Sequence, residues 1–310
     1  APNHRVLLEY AKSLLQLGQL EDGSYLPEHV AEAAKILTDI AKPLEKNAEL
    51  HRLHFLLLFA TERYKEAFIA IKNATTLEPA QLQDQVYLGM LYDKLGKTVL
   101  AETTLETAVT ANGPVAWKAK AYQILAGIKL AQKNVAQFEK LVEQAIRLEP
   151  QNPWLKYNYA QQLFQLKNWD KTITQCKSAL AITPLPLAEN LLANALISKA
   201  LGLYYAGSSP AGPPTTNPKN LEQAERLALE AIRYSPRDGT AYRIVGHAAF
   251  EKALNGDYTS LIAAQNYLSK ASDILGNDTW IQERLFYANQ ALHSGKNLQS
   301  LWKARVPAGK

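Results

Sequence analysis

The segments Ala145-Ile146-Arg147-Leu148-Glu149-Pro150 and Ala179-Leu180-Ala181-Ile182-Thr183-Pro184 lie 34 residues apart and share one skeleton: a small residue, an aliphatic one, then proline. A fixed period of that size is the signature of a stacked repeat array. Working backward, the same skeleton reaches Gly113 after Ala108 and Ala111, 37 residues before Pro150, and then Pro79 after Ala74 and Leu77, a further 34 before that. Working forward, it reaches Pro236 after Ala231 and Tyr234 at a spacing of 52, and Gly276 after Ala271 and Ile274 at 40. The longer intervals are the basic period with insertions of 18 and 6 residues.

Within a period the apolar residues recur at helical spacing. Leu88, Gly89 and Tyr92 share one face of a first helix, and Ala101, Leu105 and Ala108 share one face of a second. Neither face can be buried within the pair alone, so neighbouring pairs must cover it. Gly89 and its equivalents Ala126, Ala160, Ala193 and Gly246 are small where the two helices cross, whereas Phe55 stands at the same place in an earlier unit and predicts a wider crossing there. Breakers mark the turns within pairs, at Leu95-Gly96-Lys97, Lys167-Asn168-Trp169-Asp170 and Gly256-Asp257-Tyr258. Pro153, Pro186 and Asp278 mark helix starts.

These signals define seven helix pairs, at about 4–43, 48–79, 82–112, 116–150, 153–184, 187–236 and 239–276, and a capping helix at 279–293. The pattern resembles the tetratricopeptide repeat family over nearly the whole chain. The resemblance implies an all-α solenoid: a right-handed superhelix of antiparallel helix pairs, continuous over residues 1–293, with a basic tail at 294–310. Two departures stand out. The first pair has a lengthened turn, Asp22-Gly23-Ser24-Tyr25-Leu26-Pro27, and the sixth carries the Pro-rich insertion 207–218, rooted at Tyr204 and Tyr205.

Composition narrows the function. The content of 20% charged and 47% apolar residues is that of a folded globular protein, and the apolar run Leu53–Ala60 is too short to span a membrane. A single cysteine, Cys176, excludes an internal disulfide and falls at a packing position, which leaves the compartment open between cytoplasm and periplasm. The chain does not begin with Met and shows no signal peptide, which reads as a native N-terminus removed by processing or by design. The net charge of +5 resides entirely in residues 284–310, where Arg284, Lys296, Lys303, Arg305 and Lys310 meet no acid. The repeat body is therefore neutral, which argues against nucleic acid as its ligand; the basic tail offers contact to an acidic partner or surface.

Catalytic and cofactor motifs are thin. Gly96-Lys97-Thr98 ends like a phosphate loop, but Leu91 stands where that motif needs glycine, and the tripeptide sits in an interhelix turn. His51 and His54 share a helix without a third ligand placed by sequence, so no metal or other cofactor is expected. The reading is of a non-enzymatic scaffold or adaptor.

The family resemblance implies that the first helix of each pair lines a concave groove for a protein or peptide partner. Carried over residue by residue, the expected partner contacts are Arg52, Tyr87, Met90, Gln123, Trp154, Tyr157, Asn158, Gln161, Asn194, Arg243 and His247. Members that hold a chaperone's C-terminal carboxylate use paired Lys and Asn residues at set places. Here only Asn158 matches, flanked by Gln123 and Gly127 before it and by Leu187 and Leu191 after it, so that clamp is absent. Two other roles fit the same architecture: an accessory subunit of a bacterial envelope or secretion assembly, and a regulatory repeat domain of a longer enzyme.

Overall fold

The computed structural model describes residues 3–17, 26–206, 217–276 and 278–304. Among them all regular structure is α-helical, in sixteen helices. Most of the 22–27 turn, residues 207–216 of the insertion, and Arg305 and Lys310 of the tail lie outside the described residues. No helix of the described residues is long and apolar enough to cross a membrane.

The chain gathers into two compact units, residues 1–150 and 151–310. The first holds four pairs: α1 (His4–Leu17) with α2 (Pro27–Ile40), α3 (Ala48–Ala60) with α4 (Tyr64–Leu77), α5 (Leu82–Lys94) with α6 (Thr98–Thr110), and α7 (Val115–Ala131) with α8 (Val135–Leu148). The second holds α9 (Pro153–Gln165) with α10 (Trp169–Leu180), α11 (Pro186–Tyr204) with α12 (Pro218–Tyr234), and α13 (Gly239–Leu254) with α14 (Ser260–Leu275). It closes with α15 (Thr279–Ser294) and a short α16 (Leu298–Lys303), which falls inside the segment expected to be a tail.

The skeleton that defines the period has a physical basis. Ala74, Ala108, Ala145, Ala179, Ala231 and Ala271 are all buried, each on the second helix of its pair. Three and seven residues before them, other members of the same stripe are buried too: Ile71, Leu105, Val142, Cys176, Ala228 and Leu268, then Ala67, Ala101, Phe138, Thr172, Ala224 and Ala264. Within a unit, this is one face of a helix seated against its own partner and the helix that follows. Cys176 occupies the place of Leu105 and Leu268, as a small hydrophobe. Burial pushes its thiol pKa up to about 12, which makes it unreactive.

Crossings follow the small-residue pattern. A Cβ on Gly89 would come within 2.5 Å of Leu105, so α5 and α6 touch only because that side chain is missing. The wider crossing expected at Phe55 is not seen, since the α3–α4 pair packs no less extensively than α5–α6. Phe55 is fully buried against Ala67, Ala70 and Ala74, so the room it needs comes from small residues on the partner helix.

The turns within pairs repeat one geometry. Glu62, Gly96, Lys133, Lys167 and Gly256 all take positive φ, and in each turn the next residue's amide donates back five residues, as from Lys97 to Tyr92 (2.8 Å) and from Asn168 to Leu163 (2.9 Å). This is a left-handed helix C-terminal cap of the Schellman type. Asn134 and Asn168 then cap the following helix, accepting from the Gln137 and Lys171 amides.

Candidate binding groove in the first unit

The first helices of successive pairs in the first unit enclose a groove of about 660 Å³. Its floor is apolar, built from Leu15 of α1, Leu53, Leu56 and Phe59 of α3, Tyr87 and Met90 of α5, and Trp117 of α7. Lys12, Glu49, Arg52, Gln83 and Lys120 supply its polar groups. Helical periodicity brings these residues together, because residues three and four apart share a helix face, here one that runs from the core to the groove.

The aromatic part of the floor is rigid. Tyr87 stacks on Phe55 with ring centroids 4.6 Å apart and meets Trp117 edge-on at 5.2 Å. Its hydroxyl accepts from Gln83 Nε2 at 2.9 Å, which fixes both side chains at the groove surface. Such T-shaped contacts add to the stabilisation from burial. Tyr87 is only 5% exposed, so it supports the floor more than it projects from it.

The cations fall into two groups. Arg52 donates to both carboxylate oxygens of Asp84, from Nε at 2.7 Å and from Nη2 at 3.0 Å, and from Nη1 to Glu78 at 2.8 Å. The Asp84 hydrogen bond, helped by Glu78 and opposed by burial, raises the Arg52 pKa. Asp84 is completely buried, and this pair ties α3 to α5 beneath the groove. Lys12 is matched by Glu49 at 2.9 Å. Among the described residues Lys120 has no carboxylate partner. It is an exposed side chain at the groove edge, and desolvation lowers its pKa.

Three expected contacts therefore meet in this groove, Arg52, Tyr87 and Met90, with Arg52 committed to Asp84. Gln123, on α7, is half-buried and does not line it. In the second unit, Trp154 and Tyr157 pack edge-on at 5.9 Å; Tyr157 is 5% exposed and joins the core with Ala179, Leu185 and Ala188. Gln161 Nε2 donates to the Tyr157 hydroxyl at 2.7 Å, while Asn158 is half-buried and Asn194 exposed.

Arg243 and His247 belong to a cluster around Trp280. The Arg284 guanidinium lies 3.6 Å from the Trp280 ring centroid and 5.1 Å from that of Trp302, with Arg243 4.8 Å from Trp280. Arg243 also donates to Asp278, the residue whose side chain caps α15. His247 is 4% exposed, edge-on to Tyr204 at 5.4 Å and Trp280 at 4.8 Å, and hydrogen-bonded to Glu251. Burial lowers its pKa, with Glu251 opposing and the two arginines adding to the fall. The expected groove pair is thus a packed support for the capping helices, a role that Trp302 shares through Phe250 and Tyr287.

Trp117 and Lys120 were the signal sequence reasoning underused: they sit one turn apart on a first helix, so they share a face. Among the described residues no group of three or more His, Cys, Asp or Glu could hold a metal ion.

No protein-family model and no curated protein sequence matches the chain. Solved structures do resemble it. The C-terminal part of a TPR repeat-containing protein from Cytophaga hutchinsonii superposes with a TM-score of 0.55 at 15% identity, over 90% of this chain and 99% of that one. PilW, described as a widely conserved type IV pilus biogenesis factor, gives 0.53 at 12%, over 79% and 100%. The pilF protein of Pseudomonas aeruginosa gives 0.51 at 13%, over 79% and 97%.

Proposed function

We propose that this chain, a tetratricopeptide-type α-solenoid by fold, is a non-catalytic interaction scaffold that receives a peptide segment of a partner protein in the groove of its first unit. The supporting observation is that groove: about 660 Å³, floored by rigid aromatic and aliphatic side chains and edged by Gln83, Lys12 and Lys120. Preformed aromatic surface costs little side-chain entropy on binding, and amides on the rim can pair with a peptide backbone. A second reading, an accessory subunit of a bacterial envelope or secretion assembly, draws on the fold likeness to PilW.

Photo-crosslinking amino acids placed at Met90 in the groove and at Val99 on the outer helix α6 test the first reading. In cells that make the full chain, a partner should crosslink from position 90 and not from position 99. Crosslinking from position 99 alone would move the interaction to the outer surface.

A further inference from the structure

Helix α16 lies on the face of the second unit that corresponds to the groove of the first. Twelve residues after the N-cap, Phe250 holds in α13 the place that Phe59 holds in α3; nine after it, Tyr287 holds in α15 the place of Met90 in α5. Phe59 and Met90 form part of the open groove floor. Their second-unit counterparts are covered, since Trp302 lies edge-on to Phe250 at 5.0 Å and to Tyr287 at 5.4 Å. Leu298 is fully buried in the same cluster with Leu301 half-buried beside it, while Gln299, Ser300 and Lys303 are exposed. Apolar residues at i, i+3 and i+4 are how a helix seats itself in a groove. We infer that α16 is a self-ligand: it covers a second docking surface on α13 and α15, where an amphipathic helix of a partner protein, with leucine and tryptophan at the same spacing, takes its place.

The way α16 is held makes it exchangeable. It has six residues, and isolated helices shorter than about 12 residues are marginal in water, so it is helical only while seated. Its link to α15, residues 295–297, is exposed throughout. The α15 helix does not depend on it, being capped by Asp278 and Gly295 and burying Ile281, Ala288 and Ala291 for itself. Segments held by so few apolar contacts open locally at little cost. What the link gives α16 is proximity, worth an effective concentration on the order of millimolar. A partner therefore displaces it by bringing a longer helix that adds contacts to the same leucine and tryptophan. Arg284 lies 5.1 Å from the Trp302 ring centroid, a cation–π contact that favours tryptophan over an aliphatic residue at that position.

Two measurements on the full chain test this. In native-state hydrogen exchange of the wild type, the Leu301 and Ala304 amides, which bond to the Asn297 and Ser300 carbonyls, should open well before the amides of α13 and α15. Exchange only together with those helices would make α16 an integral part of the unit and overturn the inference, and this reading needs no variant to fold. In the second measurement a labelled peptide of residues 296–304, acetylated and amidated at its ends, is titrated into wild type, Trp302→Ala and the exposed control Lys303→Ala. Trp302→Ala should bind it at least about tenfold more tightly than the other two, because its own helix competes less. Adding Tyr287→Ala should weaken that binding, and adding Met90→Asp should leave it unchanged. No binding to Trp302→Ala, or equal binding to all three chains, would overturn the inference. Binding abolished by Met90→Asp would place the helix in the first-unit groove, which would remove the second surface and leave the first-unit reading standing.

Discussion

Arg52 and Asp84 stand 32 residues apart in sequence and meet across neighbouring first helices, Arg52 being 6% exposed and Asp84 buried outright. Such a pair is stabilising only while both members are present. Asp84→Ala would leave Arg52 with the half-exposed Glu78, and should lower stability by about 3 kcal/mol, read by denaturant melting. His247 carries a different liability. Its folded-state pKa lies below the ordinary histidine value, so the stability linked to it is complete at neutral pH and is lost as pH falls through that lowered value. His54, also held low by burial, acts in the same direction. His247→Phe preserves the ring contacts and should reduce the fall in melting temperature between neutral pH and pH ~5. An equal fall in both proteins would show that His247 does not drive it. At this scale the sequence was only partly legible. Tyr87 and Met90 could be placed by periodicity, but whether Arg52 or Arg243 faced a ligand depended on Asp84 and Asp278, one repeat further along.

The helix pair is the element that the sequence reports best, because one buried alanine per second helix must recur wherever two pairs stack. The closing skeleton at Pro150 and Pro184 located the second helix of every pair but the first, whereas α16 escaped notice: six residues give too little periodicity to see. Packing of Phe55 escaped for another reason, since compensation by Ala67, Ala70 and Ala74 lies on a different helix. The turns carry a testable cost. Lys167 holds φ near +57°, where a Cβ is unfavourable, in the turn that Gly96 makes at +69°. Lys167→Gly should stabilise the protein by about 0.5–1 kcal/mol, and Gly96→Ala should destabilise it by a similar amount. Opposite signs in thermal melts would show that the side chains, and not the backbone, govern these turns.

Across the whole molecule, charge and apolar surface are unevenly placed. The repeat body is electrically neutral, and the excess of +5 is confined to residues 284–310. Arg284, part of that excess, is held between Trp280 and Trp302, so the basic segment is in part a structural clasp. Each unit has its own core, and in the first unit the groove joins an apolar floor to polar side chains at its edge. The account's central claim is that this groove, and not the outer helices, takes the partner. It is tested most directly by selecting a peptide from a random library on the full chain and titrating it calorimetrically into wild type, Met90→Asp and Val99→Asp, each checked for unchanged melting. Met90 lies in the groove floor and Val99 is 76% exposed on α6. The account expects Met90→Asp to weaken binding at least about tenfold, the scale of a hot-spot contact, and Val99→Asp to leave it unchanged. Loss of binding in Val99→Asp with full affinity in Met90→Asp would contradict it.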